Sequence, residues 1–206
     1  MAKLHFIYST MNAGKSTQLL ATRFNYLERG MTCLLLTAAL DDRYGTAKIT
    51  SRMGISADAQ VFSKTDDLLV KYLLGAKEAG IACILVDEAQ FLTRTQVGQL
   101  ASAVDMLGIP VMAYGLRTDF RGHLFEGSDA LMALSDDLRE LKTICHCGRK
   151  ATMVLRKDAS GRPTLEGDQV QIGGNDTYVT LCRQHWTKAH AEARSSHIVP
   201  EAYAAE

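Results

Sequence analysis

Four short apolar runs punctuate the first two thirds of the chain: Lys3–Tyr8 (KLHFIY), Thr32–Ala39 (TCLLLTAA), Ile81–Val86 (IACILV) and Ile109–Tyr114 (IPVMAY). Their alternation with helical patterns constrains the fold more than any other feature. Each run is apolar on consecutive rather than alternate residues, as a strand buried on both faces requires. Between them Leu20, Phe24 and Leu27 repeat at i, i+4, i+7 ahead of Gly30. Leu68, Leu69, Tyr72 and Leu73 follow a Thr65-Asp66-Asp67 start and run toward Gly80. Val97, Leu100, Ala101, Val104 and Leu107 share one face behind a Thr93-x-x-Gln96 capping box. A further helix is expected from Ser128 through Leu131, Leu134, Leu138 and Leu141. Such alternation implies right-handed crossovers and a mostly parallel sheet covered by helices.

After Cys147 the pattern changes. Ala151–Lys157 and Leu165–Ile172 flank the turn-rich segment Asp158–Pro163 and read as hairpin strands. Gly173–Asp176 makes another turn before Tyr178–Leu181. The expected organisation is an α/β domain over residues 1–142, a small β-rich domain over 143–188 and a tail over 189–206. The alanine-rich tail either forms a short helix or frays. A chain of 206 residues suits one such domain with an appendage.

The residues that promise chemistry begin where the first strand ends. Ser9-Thr10-Met11-Asn12-Ala13-Gly14-Lys15-Ser16-Thr17 fits the phosphate-loop pattern G-x-x-x-x-G-K-[ST], with Ser9 in place of the first glycine. Backbone N–H groups and a helix N-terminus would cradle phosphates there. Lys15 would reach the β/γ oxygens, and the Ser16 hydroxyl would ligate Mg²⁺. Serine suits position 9 provided its φ stays negative.

A second signal is the apolar strand Ile84-Leu85-Val86 ending in Asp87-Glu88-Ala89-Gln90. A strand end of this kind places Asp87 beside the phosphate loop to hold Mg²⁺, and leaves Glu88 as a general base. The pair leaves the acceptor open: an ATPase base activates water, a kinase base activates a substrate hydroxyl.

The third signal concerns cysteine. Five cysteines make an odd number, which argues against a fully paired disulfide framework. Cys33 and Cys83 sit alone in apolar runs and read as buried small hydrophobes. Cys145-x-Cys147 and Cys182-x-x-His185 present four donors suited to tetrahedral, structural zinc. His146 competes with them as a ligand.

Charge narrows the choice of partners. Twenty-three basic residues balance twenty-three acidic ones, without the basic excess of a general nucleic-acid or anionic-membrane binder. No apolar stretch approaches the ~20 residues of a membrane-spanning helix, and the N-terminal residues lack a signal-peptide profile. The expectation is a soluble, cytoplasmic protein.

Several stretches in order along residues 4–186 resemble one family. They are the loop STMNAGKST, Asp41-Asp42-Arg43-Tyr44, Val86–Phe91 (VDEAQF), Tyr114–Phe120 (YGLRTDF), Ile144–Gly148 (ICHCG) and Ile172–Tyr178 (IGGNDTY). Together they resemble the zinc-containing, phosphate-loop type of thymidine kinase. Ser9 for glycine and Cys-x-Cys for the commoner Cys-x-x-Cys are the departures.

The resemblance implies a RecA-like parallel sheet followed by a zinc-bearing lasso domain. It also implies ATP-dependent phosphorylation of the thymidine 5′-hydroxyl in nucleotide salvage. By matched position Glu88 is the catalytic base, while Ser9–Ser16 together with Asp87, Glu88, Ala89 and Gln90 line the ATP site. Phe91, Leu116, Phe120 and Phe125 would pack around the deoxynucleoside. Val170, Gln171, Ile172, Gly173 and Tyr178 match the lasso that reads thymine, and Asp41 and Arg43 match a pair near phosphates and metal. Deoxyuridine shares the base edge of thymidine and should also be a substrate. A homotetramer with feedback by thymidine triphosphate is implied as well.

Two other readings compete. A DNA-associated ATPase could use a zinc ribbon to grip nucleic acid, although Arg149, Lys150, Arg156 and Lys157 are few cations for that task. A non-catalytic nucleotide sensor would leave Glu88 without a role.

Overall fold

The structure is a computed structural model describing residues 1–39, 47–170 and 177–197, without the side chains of residues 196 and 197. Asp41, Arg43, Gln171, Ile172 and Gly173, the turn through Asp176 and the end of the tail lie outside the described residues. The elements in chain order are β1 (Leu4–Ser9), α1 (Lys15–Glu28), β2 (Thr32–Ala38), β3 (Lys48–Thr50), β4 (Ser56–Asp58) and β5 (Gln60–Phe62). Next come β6 (Ile81–Val86), α2 (Arg94–Leu107), β7 (Val111–Leu116), α3 (Glu126–Leu134) and β8 (Asp137–Glu140). The chain continues with β9 (Thr143–Ile144), β10 (Lys150–Ala151), β11 (Met153–Arg156), β12 (Tyr178–Leu181) and α4 (Arg183–His197).

Six strands form one parallel sheet in the order β5-β2-β6-β7-β1-β8. The four expected apolar strands occupy its middle. The short edge strands β5 and β8 are additions to that expectation, because Gln60–Phe62 and Asp137–Glu140 lack an apolar run. Charged residues on β8 suit an edge, since they discourage pairing with another chain. Side chains alternate across the sheet and build two cores. Phe6, Leu36, Ile84 and Val86 pack with α2, α3 and the 68–76 segment on one face. Ile7, Leu35, Cys83, Leu85 and Tyr114 pack with α1 and the β3–β4 hairpin on the other.

Three expectations about helices need correction. The helix expected to continue to Leu141 ends at Leu134; Leu138 lies on β8, paired in parallel with β1. The i, i+3/i+4 leucine pattern spans two elements, with the chain turning extended at Ser135. On α1 the inward stripe is Leu19, which is buried, with half-buried Thr22 and Tyr26, offset from the expected one; Leu20 is buried, but Phe24 is 58% exposed. The Thr22 hydroxyl sits 3.2 Å from the Tyr114 hydroxyl, so a polar residue occupies the inward face. The segment after Asp67 forms a π-helical turn, Leu69–Leu73, followed by turns, in place of a regular helix.

Contacts divide the chain into two compact units. The first comprises Met1–Ser9, Ala13–Arg117 and Leu124–Leu141; the second comprises Thr10–Asn12, Thr118–His123 and the residues from Lys142 onward.

Among the described residues, the second unit holds two small antiparallel pairs and one helix. β9 pairs with β10, and β11 pairs with β12. The expected hairpin partner of β11, Leu165–Ile172, is not a strand over its described residues; Tyr178–Leu181 takes that place. Arg156 explains the difference. It ends β11 buried, and its guanidinium donates to the carbonyls of Asp168 at 2.7 Å and Glu166 at 2.6 Å. The 166–168 backbone is thus tied by a side chain rather than by a ladder. Trp186, on α4, donates from Nε1 to the carbonyls of Phe120 and Val154 and stacks on His190.

Candidate active site

Ser9 closes β1 in extended backbone, so the replacement of glycine there carries no steric cost. The left-handed positions of the loop are Asn12 (φ 63°) and Gly14 (φ 76°). Asparagine tolerates that region better than most residues. Lys15 opens α1, and its Nζ donates to Ser9 Oγ at 3.2 Å. The serine hydroxyl thereby holds the lysine head at the start of the loop. Met11 and Ala13 are half-buried. Within the second unit, Thr10 Oγ1 donates to the Met153 carbonyl, and the Asn12 carbonyl accepts from Thr143 Oγ1, each at 3.4 Å.

β6 delivers the acidic pair. Ser16 Oγ donates to Asp87 Oδ2 at 2.9 Å, while Asp87 Oδ1 is buried without a hydrogen-bond partner. Burial, followed by the neighbouring charge of Glu88, pushes the Asp87 carboxyl up to about 7. A buried carboxylate oxygen with no donor, next to a hydroxyl, is a donor set that fits a hard divalent cation. Glu88 then turns the chain at φ 51° and ψ 39°, a left-handed conformation that an L-residue adopts only when its surroundings impose it. A 3₁₀ turn over Ala89–Phe91 follows, with Ala89 and Gln90 buried. The Gln90 side chain accepts from the Leu116 N–H at 2.9 Å and donates to Glu88 Oε2.

The residues matched to the deoxynucleoside divide between the units. In the first, Phe91 and Phe125 meet edge to face with centroids 6.1 Å apart. Leu116 is half-buried, and its carbonyl accepts from Ser128 Oγ at 2.6 Å. In the second, Phe120 is 1% exposed, with the Arg156 guanidinium 3.8 Å from its ring centroid. Tyr178 is half-buried on β12 opposite Arg156, and Val170 is exposed.

Asp119, which sequence reasoning missed, organises the turn that follows it. It accepts from the backbone N–H groups of Arg121 and His123, both at 2.9 Å, from the Arg121 side chain and from Gln169 Nε2 at 3.2 Å. Arg156 directly after the apolar run Met153-Val154-Leu155 was the available signal for the tie to 166–168; Asp119, among Arg117, Thr118 and Arg121, carried none.

Cys145, Cys147, Cys182 and His185 converge, with ligand atoms all within 4.8 Å of one another. Cys145 Sγ and Cys182 Sγ each lie 3.4 Å from His185 Nδ1, and Cys147 Sγ lies 3.9 Å from Cys182 Sγ. Zn–S bonds of about 2.3 Å and Zn–N bonds of about 2.0–2.1 Å on a tetrahedron require edges of about this length. The donor set therefore fits zinc. Desolvation disfavours the Cys145 thiolate, but N–H groups of Cys147 and Cys182, with His185, outweigh it and bring the thiol down to about 6. His146 stacks on His185 at 4.4 Å, outside the four-ligand group.

Comparison with known proteins gives the same identification. The family model described as thymidine kinase matches residues 2–186. The thymidine kinase of Ruegeria pomeroyi is 61% identical over 191 residues, covering 92% of this chain and 96% of its own. That of Jannaschia sp. is 59% identical over 189 residues, covering 92% and 97%. The Photobacterium profundum thymidine kinase is 56% identical over 189 residues, covering 92% and 98%. With its phosphate loop, its strand-end acidic pair and its Cys₃His cluster carried on this sequence, the chain belongs to the thymidine kinase family.

Proposed function

We propose that the chain transfers the γ-phosphoryl group of ATP to the 5′-hydroxyl of thymidine. The observation that carries this reading is Glu88. It directly follows the buried Asp87, which is hydrogen-bonded to Ser16, in a chain of the thymidine kinase family. The loop Ser9–Ser16 binds the phosphates through backbone N–H groups, and Lys15 meets the β/γ oxygens. Asp87 and Ser16 would hold Mg²⁺, which neutralises charge on the phosphates when bound. Glu88 takes the proton of the 5′-hydroxyl as its oxygen bonds to the γ-phosphorus and the bond to the ADP oxygen breaks. Phe91, Leu116 and Phe125 of the first unit contact the deoxynucleoside in this reading.

Cys145, Cys147, Cys182 and His185 would hold a structural zinc, since four protein donors leave no position for substrate. The family resemblance further supports deoxyuridine as a substrate and a homotetramer working in the cytoplasm. No helix among the described residues is long and apolar enough to cross a membrane.

The competing DNA-associated ATPase draws little support from the cations of the second unit. Arg156, one of four on that segment, is buried against the Phe120 ring and two carbonyls. ATP turnover with thymidine, with single-stranded DNA or with neither tests the choice. Turnover that rises only with thymidine is expected; stimulation by DNA alone overturns the reading.

A further inference from the structure

Gln90 is 2% exposed, yet its side-chain amide is fully directed. Oε1 accepts from the backbone N–H of Leu116 at 2.9 Å, and Nε2 donates to Glu88 Oε2. The two ends of this amide are not interchangeable. A flip would set the NH₂ group against the Leu116 N–H and the carbonyl oxygen against the Glu88 carboxylate, two repulsive contacts in place of two bonds. The N–H that fixes the orientation ends β7, a strand hydrogen-bonded between β1 and β6 in the middle of the sheet. The sheet therefore aims a donor at one oxygen of Glu88.

Two backbone features show that the arrangement is built. Glu88 is held in the left-handed region, which directs the chain so that Gln90, two residues on, faces back to it. Gly115 leaves room for the amide: a Cβ there would stand 3.0 Å from Gln90 N and 3.1 Å from Gln90 Oε1. Contacts that close are tighter than side chains ordinarily tolerate.

We propose that Gln90 is a positioning residue for Glu88, fixing the plane of its carboxylate, and not a side-chain ligand of the nucleotide. The inference rests on the reading of Glu88 as the base. A carboxylate accepts a proton along a lone pair, so its rotation governs how often the 5′-hydroxyl finds an acceptor in line. A bond to Oε2 sets that rotation.

Gln90→Met keeps length and apolar volume but removes both bonds. In the full-length chain it should lower kcat by about 10–100-fold, with KM for ATP and for thymidine each within about threefold of the parent. The same substitution in a Glu88→Gln background should change kcat by less than about twofold, because no base remains to be positioned. Three results overturn the proposal. One is an unchanged kcat in Gln90→Met. Another is an undiminished cost in the Glu88→Gln background, which marks a structural role. The third is a raised KM for ATP with kcat intact, which marks a nucleotide ligand.

If Gln90→Met does not fold, Gly115→Ala presses on the same amide from the other side. Its kcat loss must likewise vanish in the Glu88→Gln background, and a loss that persists overturns the proposal. Parental turnover in the single Glu88→Gln variant removes the base reading and this inference with it. That failure is visible before Gln90 is touched.

Discussion

Ser16 Oγ donates to one carboxylate oxygen of Asp87 at 2.9 Å, and the other oxygen of Asp87 is buried with no partner. Half of the carboxylate is satisfied and half is not. An unpaired buried acceptor destabilises a fold unless something binds it. Here burial and the adjacent Glu88 already push the carboxyl up to about 7. Asp87→Asn should therefore lower Mg²⁺-dependent turnover by about 100-fold or more while the chelated protein unfolds at no lower denaturant than the parent. Steady-state kinetics and urea melts in chelator check the two halves. A large loss of stability together with activity would make Asp87 a structural residue.

Two glycines of neighbouring helices should respond to alanine in opposite ways. A Cβ on Gly127, in the first turn of α3, would lie 2.5 Å from the Ala89 carbonyl oxygen, 2.8 Å from that of Leu92 and 2.9 Å from that of Gln90. All three neighbours are backbone, so the turn that follows Glu88 must shift. Gly127→Ala is expected to cost about 1–3 kcal/mol in stability and to lower kcat as well. A Cβ on Gly98, inside α2, would meet nothing within 4 Å, and the backbone there is ordinary helix. Gly98→Ala should stabilise by about 0.4–1 kcal/mol with kcat unchanged. Denaturant midpoints and kcat for the pair decide it; equal effects would show that the Gly127 contact carries no particular strain.

The central strands and the phosphate loop were legible because their signals are local. Apolar runs mark strands buried on both faces, and Gly14-Lys15-Ser16 states its own backbone chemistry. The capping box was equally plain: Thr93 accepts from Gln96 N, and the Gln96 side chain returns to Thr93 N. Edge strands were not legible, since β8 is held by pairing to β1 and not by burial of its own side chains. The leucines at 134 and 138 continue a helical period by coincidence, and both are exposed.

At the candidate site the residue types were readable but their couplings were not. Sequence assigns Asp87, Glu88 and Gln90 to one stretch. Only the fold shows Asp87 joined to Ser16 and Gln90 joined to Leu116. The metal cluster lay between these extremes. Cys182-x-x-His185 spans the start of α4 and Cys145-x-Cys147 spans the β9–β10 turn, so each half is local and only their meeting is tertiary.

That meeting predicts how the second unit fails. Its core is small, built on Cys145, Ala151, Leu155, Leu181 and Cys182 with Val179, Trp186 and Ala189 packed against it, and two of its members are the ligands themselves. Metal binding should supply much of its folding free energy. One zinc per chain is expected by elemental analysis. Cys182→Ser should lose the metal and open α4 and the β11–β12 pair to hydrogen exchange. A chain that is metal-free and retains full activity would remove zinc from the account.

Substrate choice follows from the base edge. Thymine and uracil present the same donors and acceptors, whereas cytosine inverts two adjacent positions: its 4-amino group donates where O4 accepts, and its N3 accepts where N3–H donates. A site that hydrogen-bonds the thymine edge leaves buried groups unpaired with cytosine, at about 1–3 kcal/mol each. Thymidine and deoxyuridine should both be phosphorylated, deoxycytidine at least about 10-fold less well, and deoxyadenosine and deoxyguanosine not at all. Tyr178, half-buried on β12, is the side chain to alter first. Its hydroxyl would bind the nucleoside equally in ground and transition states, so Tyr178→Phe should raise KM for thymidine more than it lowers kcat. A competition assay over the five nucleosides, run with both proteins, reads the edge and the hydroxyl together. Preference for deoxycytidine or a purine would show that the base is read by a different pattern, even with the phosphate loop and Glu88 acting as argued.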